Sequence, residues 1–166
     1  MTTCSNLNIA SGNNFQLHFP VLPYSKDLQD SKDLVLHVYG AILPGVNFDT
    51  TPHSWQGFDT KRIDSNLIFT DLTVDFLVTE DMRNWISVFK WMTFINNNRD
   101  KISGAPKEYT IDSILVASDN YGAEILKVKF INMCPIDLNA VNLSYRDGET
   151  VLESTCTFAY DRFEIG

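Results

Sequence analysis

The chain predicts a mainly β fold, an antiparallel sandwich or barrel with one packed α-helix, and three observations carry that prediction. Apolar residues recur every second position in most of the patterned segments, which places them on one face of a strand. Turn-forming clusters punctuate those segments at short intervals. The period changes to a helical one only once, at Thr79.

Each element follows from its own pattern. The first 14 residues, rich in Ser, Asn and Thr, are expected to form an arm that orders only against something else. Phe15, Leu17 and Phe19 alternate with Gln16 and His18 to give a first strand, and Leu34-Val35-Leu36-His37-Val38-Tyr39 gives a second. Between them, residues 25–33 mix both charge signs and suit a solvated connection. Leu43-Pro44-Gly45 turns the chain. No period is convincing over residues 47–65, yet Phe48, Trp55 and Phe58 lie there. A long connection with large aromatics is expected to be a contact arm.

Leu72, Val74, Phe76 and Val78 then form one face of a strand, opposite Thr73 and Asp75. After Thr79 the spacing is helical: Met82, Trp85, Phe89 and Met92 make one stripe, and Val88, Trp91 and Ile95 a neighbouring one. Thr79 is the expected N-cap, with Glu80 and Asp81 on the first turn, where helix amides favour negative charge. The run Asn96-Asn97-Asn98-Arg99-Asp100 ends the helix. Trp85 and Trp91 lie six residues apart and point about 120° away from each other. The expectation is a helix covered twice, Trp85 by its own sheet and Trp91 by a neighbouring subunit.

Residues 101–108 lead back into the sheet. Residues 111–117 and 124–131 flank the turn cluster Asp119-Asn120-Tyr121-Gly122, which predicts a hairpin. Pro135 is expected to stop its second strand. Leu143 and Tyr145 lead into the turn signal Asp147-Gly148, and a last strand alternates Leu152, Ser154, Cys156, Phe158 and Tyr160. The reading totals about seven strands to one helix.

Size and composition bound what such a protein does. A chain of 166 residues suits a single domain, burying roughly 70% of its unfolded surface. Its net charge of −8 argues against gripping nucleic acid along the phosphates, which takes clustered Lys and Arg. No apolar run approaches the roughly 18 residues of a spanning helix, and the N-terminus lacks a signal-peptide layout. Manufacture in a cytoplasm with no membrane partner is therefore expected. Cys4, Cys134 and Cys156 are widely separated and suggest neither a disulfide framework nor a thiolate metal site.

Signatures of local catalytic chemistry are missing: there is no G-x-S-x-G elbow, phosphate-binding loop, H-E-x-x-H or G-x-G-x-x-G. No catalytic, cofactor or metal residue is assigned. His18, His37 and His53 read as strand or loop histidines, and Asp71 and Asp75 as solvated carboxylates rather than a hydrolase pair. The candidate residues are Trp55, Phe58 and Trp91, all read as inter-subunit contacts. Trp55 with Phe58 also fits a sugar-stacking platform, so a carbohydrate-binding sandwich is the more remote alternative.

The whole pattern resembles the tail tube proteins of contractile-tailed bacteriophages, whose fold is shared with the type VI secretion tube protein. Phe15-Gln16-Leu17 followed by Ala41-Ile42-Leu43-Pro44-Gly45 looks like the family's opening strands and turn. The stretch LIFTDLTVDFLVTEDMRNWISVFKW, from Leu67 to Trp91, resembles its strand, acidic turn and helix. Residues 130–138 are similar to its strand, Pro-containing turn and next strand, and Cys156-Thr157-Phe158-Ala159-Tyr160-Asp161 looks like its aromatic last strand. The resemblance implies hexameric rings that stack into a hollow tube inside a virion tail, with genomic DNA only passing through the lumen. It also implies sheath, baseplate or tail terminator proteins as partners. Baseplate and tail-end relatives of the same fold, which start or finish a tube, are the closest alternative.

Overall fold

The computed structural model describes residues 15–20, 22–23, 36–55, 57–63, 66–98, 108–118, 123–143 and 151–166. The expected N-terminal arm, the loop over 25–33, most of the 101–108 connection and the turn clusters at 119–122 and 147–148 lie outside these residues.

Two four-stranded antiparallel layers share one long strand. One layer contains β1 (Phe15–His18), β8 (Ile111–Ser118), the first half of β9 (Glu124–Leu138) and β11 (Arg162–Ile165). The other contains the second half of β9, β10 (Glu153–Ala159), β7 (Leu72–Leu77) and β2 (His37–Ile42). β9 passes between layers at Asn132, whose φ of 56° puts it in the left-handed region that Asn tolerates better than most residues. Its backbone N–H donates to Asp112 Oδ1 at 3.2 Å, and its side-chain amide donates to Asp161 Oδ2 at 2.6 Å. The bend is held from β8 and from the turn between β10 and β11.

Strand alternation is realised as expected in β7 and β10. Leu72, Val74 and Phe76 are buried, and from the facing layer Leu115, Val128 and Phe130 meet Cys156 and Phe158 in one core. Pro135 does not stop its strand. β9 continues through it to Leu138, because the ladder to β10 shifts register beside Pro135, pairing Thr157 with Asp137 but Phe158 with Pro135. Such a bulge accommodates a residue with no N–H to donate. The second strand begins at His37 and runs on to Ile42, three residues beyond the predicted end.

The helix, α1 (Arg83–Asn98), packs against β9, and Val88 and Trp91 enter the core. It starts later than predicted. Thr79 caps nothing directly: the Met82 N–H donates to the Thr79 carbonyl at 2.8 Å, closing a turn first, and Ile86 N–H then donates to the Met82 carbonyl. Asn84, fully buried, ties this turn to the strand before it. Its side-chain amide donates to the Leu77 carbonyl at 2.7 Å, while its Oδ1 accepts from the Thr79 N–H at 3.2 Å. The acidic residues lie in the turn, where Asp81 accepts from the Arg83 N–H and pairs with its guanidinium at 2.9 Å.

A candidate assembly surface

Residues 47–65, which showed no period, contain a β-hairpin. β4 (Thr50–Trp55) and β5 (Phe58–Ile63) pair residue for residue, from Thr50 with Ile63 to Trp55 with Phe58, as a two-stranded sheet apart from the main layers. Gly57, at φ 83°, sits between the strands and takes the left-handed conformation a tight connection needs. Periodicity failed here because neither face is buried: every residue of β5 is exposed, so nothing selects an apolar row. Phe58, at 77% exposure, stands at the tip.

The root of this arm is fastened more firmly than its tip. β3 (Val46–Asn47) pairs with β6 (Ile68–Phe69), and Phe69 packs edge-on against Phe163 at 5.2 Å between ring centres. The Gly45 N–H donates to Thr70 Oγ1 at 2.9 Å, and the Thr70 N–H returns to the Gly45 carbonyl at 3.1 Å. Tyr160 donates its hydroxyl to the Thr70 carbonyl. Burial, reinforced by the negative charge of Asp71, pushes that phenol up to about 12, so it stays a donor at neutral pH. Phe48, Val46 and Ile68 remain exposed around the root.

A second exposed apolar surface lies on α1. Trp85 and Phe89 stack with ring centres 5.7 Å apart and planes 6° from parallel. Trp85 is half-buried and donates its indole N–H to the Asn139 carbonyl at 3.2 Å, while Phe89 is 51% exposed beside Ile86. Trp85 thus packs in part on its own fold, as expected, whereas the exposed position expected of Trp91 is not found. Trp91 has no exposed surface: its indole N–H donates to the Tyr109 carbonyl at 2.9 Å and its ring lies 6.3 Å from Phe158. The stripe of Val88 and Trp91 faces the sandwich, so the stripe of Trp85 and Phe89 is the one left toward solvent. Trp91 is a core residue, and Phe89 is the contact candidate that spacing alone did not single out.

The two layers also differ in charge on their outer faces. On the β2–β7–β10 layer, Asp75, Asp137 and Glu153 share the outer face with Thr73, Thr155 and Thr157, and register places no Lys or Arg of these strands among them. On the opposite layer the corresponding face carries both signs: Lys127, Lys129 and Arg162 lie there with Asp112 and Glu164, Lys129 pairing with Asp112 at 3.0 Å and Arg162 with Glu164 at 3.2 Å. Among the described residues no group of three or more His, Cys, Asp or Glu side chains is arranged to hold a metal. Cys156 is buried, and burial holds its thiol up in the protonated form. No helix among the described residues is long and apolar enough to cross a membrane.

A β-sandwich presenting an exposed hairpin with Phe58 at its tip and an apolar patch on its helix has surface of the kind used in protein contacts. The chain belongs to the phage tail tube protein family, whose model, described as "Phage tail tube protein", matches residues 10–166. It is thus a tail component of the virion. It is 26% identical over 135 residues to a protein named "Tail tube terminator protein" from Enterobacteria phage T4, covering 78% of this chain and 77% of the relative. Among solved structures it is similar to the tube-terminating cap of the anti-feeding prophage, with a TM-score of 0.67 and 13% identity over 99% of this chain and 95% of that one. A chain of the sheath-tube complex of an extracellular contractile injection system follows, with a TM-score of 0.64 and 14% identity over 100% and 99%. Hcp1 from Salmonella typhimurium has a TM-score of 0.53 and 18% identity over 90% and 83%. The expected kinship with both phage tubes and the type VI tube holds at the level of the fold.

Proposed function

We propose that this protein is a ring-forming terminator at one end of the tube of a contractile tail. Its role is structural rather than catalytic. The observation that carries the position is the resemblance to the T4 terminator over most of both chains. Fold likeness alone does not separate an end ring from the repeating tube subunit, because TM-scores of 0.67 to a cap and 0.64 to a chain of a sheath-tube complex are nearly equal.

The geometry supplies what a ring on a tube needs. Six copies close through β1, β2 and β11, which among the described strands are the margins of their layers and gain partners in a ring. The arm reaches a neighbouring copy, and Phe58 with Trp55 makes its tip a contact point. The carboxylate- and threonine-bearing face of the β2–β7–β10 layer lines the conduit, where fixed negative charge repels phosphate and lets DNA pass without sticking. Sheath and baseplate proteins meet the outside, and assembly takes place in the host cytoplasm before the tail is complete.

Negative-stain microscopy of the purified chain, with labelled antibody on whole virions, tests this reading. Discrete six-fold rings and label at one end of the tail are expected. Label along the whole tail makes the protein the tube repeat instead, and a monomer absent from virions removes the tube reading altogether.

A further inference from the structure

The arm and the α1 face each carry an exposed aromatic and one unpaired charge, of opposite sign, and from this we infer that the arm of one copy lies along the α1 face of a second copy, with Phe58 on the Trp85–Phe89 stack and Arg62 against Glu80. The inference rests on the ring reading above and names the acceptor of the arm.

Phe58, Thr60 and Arg62 share one face of β5, since alternate residues of a strand point the same way. A cation therefore follows the aromatic tip after about 13 Å of extended chain. On α1, Phe89 lies about 9 Å along the axis from Arg83, and Glu80 sits in the turn before it, so an anion follows the aromatic stack at roughly the same span. Asp81 is already paired with Arg83, whereas Arg62 and Glu80 are exposed and have no ion-pair partner among the described residues. Phe58, at 77% exposure, does not rest on the helix of its own subunit. A lone two-stranded sheet is marginal in water, so seating it on a helix face also stabilises the arm. The contact is heterologous: one surface gives, a different one receives, and the donor's own helix remains free for another arm.

A charge-reversal cycle in the full-length chain tests the pairing. Sedimentation velocity gives the concentration of half-assembly for the wild type, Arg62→Glu, Glu80→Arg and the double variant. Each single reversal is expected to raise that concentration about tenfold, and the double variant to return within about twofold of the wild type. A double variant as weak as the combined singles overturns the pairing while leaving an assembling wild type as a ring former. A wild type that stays monomeric defeats the ring reading and this pairing with it. Both residues are exposed in the monomer, and unchanged thermal unfolding of the singles shows that the shift belongs to the contact.

Discussion

The sandwich and the arm solve the same problem of apolar surface in opposite ways. In the sandwich, Trp91, Phe130 and Phe158 disappear from solvent among the strands and helix of one chain, and the indole N–H of Trp91 finds a backbone carbonyl on the way in. In the arm, Phe58 and Ile63 are held in a regular ladder and left outside. Both are built of paired strands, but each strand of the arm pairs on one side only. Order without burial in one chain is the signature of surface kept for a second one. The structure therefore separates residues that build the core from exposed residues proposed to join subunits.

Substitutions sharpen that separation. Trp91→Ala has the largest expected effect: about 3 to 5 kcal/mol of unfolding free energy is lost in denaturant titration, because the hole lies in a core with no slack. A loss below about 1 kcal/mol would mean that Trp91 is not the internal tryptophan. Phe58→Ser is expected to leave monomer unfolding within about 0.5 kcal/mol of the parent while weakening assembly in sedimentation. Monomer destabilisation as large as that of Trp91→Ala would erase the distinction between the regions. The smallest effect belongs to Asp81→Asn at the helix entrance. Hydrogen bonding to Thr79 and to the Arg83 N–H lowers the Asp81 carboxyl below its ordinary 3.8. Its contribution is thus present above that value and fades as pH falls through the lower folded one. The variant should unfold slightly earlier than the parent at pH 7, the two curves merging as pH falls below the lowered folded value; a difference that persists there would show that charge is not its source.

Legibility in the sequence followed burial. Where one face of a strand is buried, as in β7, alternate apolar residues reveal both the element and its orientation, and the switch at Thr79 marked the single helix among the described elements. The arm left no such trace, since a ladder with both faces in water imposes no alternation; Phe48, Trp55 and Phe58 are what single the region out as an expected contact arm. Pro135 misled because a bulge in the neighbouring ladder is set by tertiary pairing, which local sequence does not encode. The two helical stripes were both visible, but which of them faced inward depended on where β9 and Phe158 lie. Spacing defines faces of a helix and leaves their partners to the rest of the fold. The capping error had a similar origin: Asn84 reaches back to Leu77 and Thr79, so the turn closes before the helix begins.

On the function proposed above, the arm serves assembly and the sandwich stands without it. The most direct test replaces residues 50–63 by a short Gly-Ser link and follows both thermal unfolding and sedimentation of the shortened chain. The prediction is a cooperative transition close to that of the full-length monomer, together with loss of higher assembly at concentrations where the full-length chain forms rings. A shortened chain that assembles as well as its parent, or one that no longer folds, would contradict it.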